Sequence, residues 1–303
     1  MIYNVGSINI DYVYRVPHLV KPGETLASET LVRVLGGKGA NQSVALAQAG
    51  AQVSHVGQLS ENDLWALTQL SEFGVNVDNV ATIDEPSGHA IIQVDDSGEN
   101  SIVLFGGANQ QLTPAQLNQA FKTAATGDWV LIQNECNELA EVFKIAAANE
   151  LPLVFNPAPM SASVLELPLE NAHCLILNEV EANFLAGAGV NGGGSDVASL
   201  VRALIERFPK TIVALTMGAQ GAMLIENREI TSFASPTVNA VDTTGAGDTF
   251  VGYFLASLDA GRSLEDAANI ACHAAAMSVT AEGATPSIPA QADVLKFMNT
   301  VTV

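Results

Sequence analysis

Basic residues are scarce in this chain of 303 residues: 12 Lys and Arg stand against 32 Asp and Glu, for a formal net charge of −20. A surface this acidic repels nucleic acid and anionic lipid, so we expect neither as a partner. The charge also fits a protein that is merely kept soluble, or one from a saline habitat. A phosphate ligand would have to be held by backbone amides, a metal ion and a few local cations.

Cysteine and long apolar runs are equally sparse. Cys136, Cys174 and Cys272 are widely spaced and odd in number, which predicts reduced thiols in a cytoplasmic protein and excludes zinc-type pairs. No run of about 18 uncharged apolar residues predicts a membrane span, and we expect no signal peptide at the first residues. With 48% hydrophobic residues, the length suits one large α/β domain.

Apolar strands and helices alternate along the chain after residue 109. Strands are predicted at 129–133, 153–156, 174–177 and 212–215, then at 222–226 and 229–234, with a loop at 187–194. Strands that alternate with helices predict a mostly parallel sheet with helices on both faces. We therefore expect a single domain over residues 1–303.

The first half of the chain adds strands that do not fit this alternation. A strand is predicted at 2–5 and another at 52–57, while 25–35 alternates between apolar and polar residues. Segments 89–94 and 101–105 flank a polar turn and predict a hairpin. We expect lid segments at about 11–36 and 87–106 to form a small β-sheet above the carboxyl edge of the main sheet.

Residues 242–250 contain two glycines directly before Asp248, followed by an apolar run with helical spacing. Gly245, Ala246 and Gly247 are therefore predicted to begin a helix, where free N–H groups attract anions and glycine allows close approach. Asp248 would lie in the first helical turn and suits a general base in phosphoryl transfer. Alternatively, Asp248 merely complements the helix dipole.

Other polar residues fall just after predicted strands or at helix starts, which places them at one edge of the sheet. They are Glu135, Asn178, Glu181, Thr216 and Asp248. Asn9 and Asp11 follow the first strand, where they share a face if the chain stays extended, although an Asx turn explains either residue alone. Gly37, Lys38 and Asn41 begin an Ala-rich helix; the spacing of this glycine segment is not that of a P-loop.

Eight segments in this order resemble the ribokinase-like (PfkB) sugar kinases over almost the whole chain. The segments are 6–11, 22–25, 36–42, 107–109, 156–159, 178–181, 216–221 and 242–250. The resemblance implies an α/β ribokinase-like fold with a β-sheet lid, and ATP-dependent phosphorylation of a sugar's primary hydroxyl, ribose first among them. It also implies a homodimer that forms through the lid.

The resemblance further implies roles for individual residues. Asp248 would be the general base beside the amides of Gly245, Ala246 and Gly247. The sugar would be bound by Asn9, Asp11, Gly37, Lys38, Asn41, Ile102, Glu135 and Asp248. The nucleotide would be bound by Asn178, Thr216, Gly218, Gly221 and Gly247, and Glu181 would hold Mg²⁺ through water. A monovalent cation, K⁺, would be held by Asp242, Thr244, Ser278, Ala281, Gly283 and Ser287.

Two segments depart from the family pattern. Trp65 stands where a glycine is usual, and Ala281-Glu282 precedes Gly283 where basic residues are common. Kinases for deoxyribose, fructose or a nucleoside stay open as alternatives, as does a non-catalytic sugar- or nucleotide-binding relative. A dinucleotide dehydrogenase is disfavoured because no Gly-x-Gly-x-x-Gly follows the first strand.

Overall fold

Two β-sheets organise the protein. The computed structural model describes residues 1–188 and 196–300, so most of the loop predicted at 187–194 lies outside the described residues. In the described residues the strands are, in chain order, β1 (Ile2–Val5), β2 (Asn9–Arg15), β3 (Thr30–Gly36), β4 (Val53–Ser60), β5 (Asn76–Ile83), β6 (Gly88–Val94), β7 (Asn100–Phe105), β8 (Trp129–Gln133), β9 (Leu153–Asn156), β10 (Cys174–Asn178), β11 (Ile212–Thr216), β12 (Ala222–Glu226) and β13 (Glu229–Phe233).

The α-helices of the same residues cover the large sheet. They are α1 (Lys38–Gln48), α2 (Trp65–Glu72), α3 (Pro114–Ala120), α4 (Leu139–Ala148), α5 (Glu179–Asn183), α6 (Val197–Arg207), α7 (Ala246–Asp259), α8 (Leu264–Ser278) and α9 (Gln291–Thr300). Each of these helices is too short or too polar to serve as a membrane span.

The large sheet has nine strands in the order β13-β12-β11-β10-β9-β8-β1-β4-β5. In this order, neighbouring strands from β11 to β5 pair in parallel, whereas β11–β12 and β12–β13 are antiparallel pairs. The predicted mostly parallel sheet is thus confirmed. The sequence analysis did not predict β5 or α9, because both carry many polar residues and little periodic signal.

Strand residues alternate between two apolar cores, one on each face of the large sheet. Ile2 and Leu131 face one core with α1, α7 and α8, whereas Tyr3 and Val130 face the other with α3, α4 and α6. This alternation follows from the period of two along a strand. The helix pair α1–α7 packs closely, since a Cβ at Gly252 would lie 2.3 Å from the Cβ of Ala45.

The small sheet has the order β3-β2-β6-β7. Strands β2–β3 and β6–β7 are antiparallel pairs, and β2–β6 is parallel. Asn9 and Asp11 therefore lie on β2 of this sheet rather than at the end of β1, and they share a face because the chain is extended there. The chain turns at residues 6–8 and leaves the large sheet before it reaches them.

The unusual Trp65 contacts the small sheet. The Cζ atom of Arg33, on β3, lies 5.0 Å from the centre of the Trp65 ring. The Nη1 atom of Arg33 lies 3.7 Å from Oδ1 of Asp63. The indole Nε1 donates to the same Oδ1 at 3.4 Å. The departure from the family pattern therefore adds a cation–π contact between α2 and the small sheet.

Candidate functional site

The turn before α7 has the conformation that the two glycines predict. Gly245 precedes the helix with φ 78° and lies close to Ala284, because a Cβ at Gly245 would be 3.0 Å from the Ala284 Cα. The Ala246 amide donates to the Thr243 carbonyl at 3.3 Å. At the start of a 14-residue helix, the amides that follow carry partial positive charge.

Asp248 lies in the first turn of α7 and is only 7% exposed. Its Oδ2 accepts a hydrogen bond from Asn41 Nδ2 at 3.0 Å, and its Oδ1 accepts one from Gln42 Nε2 at 2.9 Å. Both donors belong to α1. Asn41 is a predicted site residue, whereas Gln42 was missed.

Lys38 faces three carboxylates at the start of α1. Its ammonium has a raised pKa, chiefly because of Asp248 and also because of Glu135 and Glu181. Glu135 accepts from the Lys38 amide at 3.0 Å and from the Ser7 hydroxyl, while burial raises the pKa of its carboxyl. The structure thus brings the predicted catalytic, sugar and metal positions into one electrostatic cluster.

Asn9 and Asp11 border this cluster from the small sheet. Asn9 is held by Asn109, whose Nδ2 donates to Asn9 Oδ1 at 2.7 Å. Burial, with the negative charge of Glu135 adding to it, raises the pKa of Asp11 to about 6. The Asp11 carboxyl packs against the bare backbone of Gly36, where a side chain would not fit: a Cβ there would come within 2.6 Å of all three carboxyl atoms.

Two further predicted sugar contacts lie in less enclosed positions. Gly37 precedes α1 with φ 91°, a left-handed value that favours glycine. Ile102 lies on β7, opposite Ile92, and shares the face of the small sheet that carries Asp11. Its side chain is 52% exposed, so in this structure it is available for a contact but does not cover the site.

A cavity of about 410 Å³ lies on the other side of the glycine turn. It contains the predicted nucleotide positions Thr216, Gly218, Gly221 and Gly247, and its walls are mostly apolar, with Phe250, Cys272 and Val279 among them. Gly221 has φ 97°, and a Cβ there would collide with the Phe233 carbonyl. An apolar cavity that ends at a helix N-terminus suits a flat base attached to phosphates.

Asn178 and Glu181 form a capping box at the start of α5. The Asn178 side chain accepts from the Glu181 amide, and the Glu181 carboxylate accepts from the Asn178 backbone and side-chain N–H groups, each at 2.9 Å. Glu181 is 4% exposed, and burial raises the pKa of its carboxyl. Among the described residues no group of three His, Cys, Asp or Glu is arranged to hold a metal. The Glu181 carboxylate, which two N–H groups hold in place, suits contact with a hydrated Mg²⁺ through water.

The predicted cation positions lie on two adjoining loops. Asp242 Oδ1 accepts from the Thr244 amide and hydroxyl, and Asp242 Oδ2 accepts from the Gly283 amide at 2.9 Å. The Ser278 carbonyl accepts from Ala281 at 3.3 Å, and the Ser287 hydroxyl donates to Ala284. The loops therefore present a carboxylate and backbone oxygens beside the turn that precedes Asp248, which are ligands that suit a weakly hydrated monovalent cation.

Comparison with known proteins identifies the class. The pfkB family carbohydrate kinase model matches residues 1–291. Ribokinase of Haemophilus influenzae is 37% identical over 300 residues, which cover 97% of each chain. Deoxyribokinase of Salmonella typhi is 30% identical over 292 residues, or 94% of each chain. A ribokinase structure from Arabidopsis thaliana, complexed with ribose and ATP, has a TM-score of 0.84 at 28% identity and 98% coverage of both chains.

The chain therefore belongs to the pfkB family of carbohydrate kinases, and its fold is ribokinase-like. The resemblance found from the eight sequence segments is confirmed.

Several polar residues of the site were not predicted. They are Ser7, Gln42, Asn109, Gln133, Asn156 and Thr285. Gln133 and Asn156 end β8 and β9, so the strand-end argument that selected Glu135 applied to them as well. Gln42 follows Asn41 directly, but adjacent helical residues ordinarily point in different directions, and only the fold shows that both reach Asp248.

The raised pKa of Asp11 leads to a pH-dependent prediction. The folded protein holds this proton more tightly than the unfolded chain, whose carboxyl has the ordinary value of 3.8. The resulting stability is fully present below that value and is lost as the pH rises through about 6. Asp11→Asn removes the charge and keeps the shape. We expect it to raise the free energy of unfolding of the ligand-free protein by about 3 kcal/mol at neutral to basic pH.

Thermal or urea unfolding of wild type and variant measures this difference. It should nearly vanish below the unfolded-state pKa, where both side chains are neutral. Stabilisation of equal size in acid and in base would contradict the assigned cause.

Proposed function

We propose that the protein transfers the γ-phosphoryl group of ATP to the primary hydroxyl of a neutral sugar and converts D-ribose to ribose 5-phosphate. The observation that carries this proposal is the position of Asp248, between the apolar cavity and the polar cluster of Lys38, Glu135 and Asp11. The ribose and ATP named for the Arabidopsis structure support the same pair of substrates.

In this proposal Asp248 accepts the proton of the attacking hydroxyl. Its carboxylate is held by two amides, so it is oriented before the sugar binds. The turn of Gly245, Ala246 and Gly247 directs helix N-terminal amides at the charge that develops on the transferred group. Lys38 neutralises part of that charge, because the carboxylates of Asp248, Glu135 and Glu181 raise the pKa of its ammonium and keep it protonated.

The sugar hydroxyls bind to the polar cluster. Asn9, Asp11, Gly37, Lys38, Asn41 and Glu135 supply the contacts, and Ile102 adds an apolar contact from β7. Segments 11–36 and 87–106 act as a lid within the single domain of residues 1–303. Carboxylates accept hydrogen bonds from hydroxyls, whereas they repel a phosphorylated sugar.

The nucleotide occupies the cavity beside Thr216, Gly218 and Gly221, with its phosphates at Gly247 and Asn178. Mg²⁺, held through water by Glu181, would supply neutralisation of the phosphate charge. The capping box supports this role because it fixes the Glu181 carboxylate at the edge of the cluster.

Asp248→Asn is the first test. Loss of a general base should reduce kcat about 10²–10⁴-fold or more, while the fold is retained. Asp266→Asn is the matched control, because Asp266 also lies in the first turn of a helix, α8, and is exposed. Steady-state rates and circular dichroism measure both variants. An Asp248→Asn protein that keeps most of its kcat would reduce Asp248 to a complement of the helix dipole.

The acceptor is the second test. We expect kcat/KM to be highest for ribose, lower for 2-deoxyribose and fructose, and lowest for fructose 6-phosphate, because the pocket pairs hydroxyls and contains acidic groups. A coupled assay of ADP formation gives the four values. Preference for fructose 6-phosphate would overturn the pocket assignment. Preference for 2-deoxyribose would overturn only the choice of ribose, and the deoxyribokinase relative makes 2-deoxyribose the second candidate.

A monovalent cation is the third element of the proposal. K⁺ at Asp242, Thr244, Ser278, Ala281, Gly283 and Ser287 would order the loop that leads into Gly245. We expect higher kcat in potassium than in tetramethylammonium at equal ionic strength and saturating Mg²⁺ and ATP. Equal rates in the two salts would count against the cation site and leave the kinase activity standing.

Dimerisation through the lid, in the cytoplasm, completes the proposal. Apolar side chains that are 41–65% exposed lie on both faces of the small sheet: Leu31, Ile91, Val103 and Phe105 on one face, and Val32, Ile102 and Leu104 on the face that carries Asp11. Exposed apolar groups of this extent mark an interaction surface. Sedimentation velocity should give twice the mass of the chain, and Leu104→Lys should halve it. Leu165→Lys, at an exposed leucine outside the small sheet, should not. A monomeric wild type at micromolar concentration would refute the interface.

A further inference from the structure

Gln42, which donates a hydrogen bond to Asp248, is itself fixed by hydrogen bonds to other buried side chains. Gln42 Nε2 donates to Asp248 Oδ1 at 2.9 Å and to Asn156 Oδ1 at 3.1 Å. Gln42 Oε1 accepts from Gln133 Nε2 at 2.8 Å. Gln42 and Gln133 are 0% and 1% exposed, so no exchange with bulk water can replace these partners.

The direction of the Gln42 amide follows from a backbone carbonyl at one end of the network. The Gly39 carbonyl can only accept, so the Asn4 side-chain group 2.8 Å away is its NH₂. Asn4 then presents Oδ1 to Gln133, which must donate to it at 2.8 Å. The same Gln133 nitrogen faces Gln42, which leaves Gln42 with its oxygen toward Gln133 and its NH₂ toward Asp248.

A second, independent carbonyl gives the same answer. The Ile176 carbonyl fixes the NH₂ of Asn156 at 2.9 Å, so Asn156 presents its oxygen to Gln42. Gln42 must again donate toward Asn156 and Asp248. Two backbone carbonyls, on segments 137 residues apart, therefore require one orientation of this amide.

The far end of the network is closed by a neutral imidazole. Asn4 also donates to Ser43 Oγ, the Ser43 hydroxyl donates to His55 Nδ1 at 2.8 Å, and His55 Nε2 contacts the Gly6 carbonyl at 3.0 Å. Complete burial lowers the pKa of His55 to about 4, so the ring is neutral with its proton on Nε2. The donors and acceptors of Ser43 and His55 are therefore consistent with the Asn4 orientation that the Gly39 carbonyl requires.

We propose that Gln42 is a positioning residue for the catalytic carboxylate, and that Gln133 acts through it by fixing the direction of its amide. If the Gln42 amide were inverted, its oxygen would face both Asp248 and Asn156, and the carboxylate would be repelled from its place. Gln42 does not line the cavity, and Asp248 is the one predicted sugar contact to which it is hydrogen-bonded, so its effect falls on the chemical step. The proposal rests on the assignment of Asp248 as the base.

Gln133→Met tests the remote half of this proposal, because Gln133 does not contact Asp248. We expect kcat to fall about 10- to 100-fold, with KM for ribose and ATP nearly unchanged. Gln58→Met is the matched control: Gln58 is also a buried glutamine on a strand, hydrogen-bonded through Nε2 to Gln116, and its Oε1, like that of Gln133, meets no donor among the described residues. It should lose stability and keep its kcat.

The double variant separates positioning from general loss of packing. Gln42→Met removes the donor to Asp248 itself, so adding Gln133→Met should reduce kcat no further. The proposal would be overturned if the two substitutions reduced kcat by independent factors in the double variant. It would also be overturned if Gln133→Met had the same kcat as Gln58→Met. If Gln133→Met does not fold, Gln42→Met carries the test, and a kcat near that of wild type overturns it. An active Asp248→Asn protein would refute the base assignment as well, whereas an inactive one beside active glutamine variants refutes the positioning role alone.

Discussion

Burial of the Asp248 carboxylate at the start of α7 is the constraint on which the rest of the site depends. A buried carboxylate is costly unless hydrogen bonds replace its water. Here Asn41 and Gln42 supply one donor to each oxygen, and the N-terminus of α7 adds its partial positive charge. Hydrogen bonds to a charged group contribute about 1.5–3 kcal/mol each. Those bonds require α1 and α7 to lie side by side, and Gly252 permits that close approach.

The second constraint is the excess of negative charge around Lys38. Asp248, Glu135 and Glu181 all raise the pKa of its ammonium, and burial raises the pKa values of Glu135, Glu181 and Asp11. Such a cluster is better suited to a neutral, hydroxyl-rich ligand than to an anionic one. A chain with 12 basic residues and an overall charge of −20 can still bind phosphates, because Lys38 and helix N-termini supply positive charge at the site itself.

The sequence predicted the architecture well where a periodic signal was strong. The buried strands β8, β9, β10 and β11 and the glycine turn before α7 were all found, because apolar runs and glycines report directly on local structure. Strand β2 was missed, since its departure from β1 depends on the turn at residues 6–8 and on pairing with β6, which begins about 80 residues later.

Of the site, the sequence predicted several residues that end strands or begin helices, and missed those that act through other side chains, although two of these, Gln133 and Asn156, also end strands. Gln42 and Asp248 are 206 residues apart, and Gln42 and Gln133 are 91 apart. No spacing rule connects such positions. Their partnership exists only because parallel strands end at one edge and α1 begins at that edge, which is a property of the tertiary fold.

The composition of α1 has an evolutionary consequence. Under the proposed function, Lys38 and Asn41 bind the sugar and Gln42 positions the base, all within one turn and a half of the same helix, and Asn41 contacts Asp248 itself. A substitution that reshaped the pocket from α1 would also disturb the base. Strands β2 and β7 border the pocket with Asp11 and Ile102, and neither residue bonds to Asp248. New acceptor preferences are therefore more accessible to selection through the small sheet than through the helix that adjoins the chemistry.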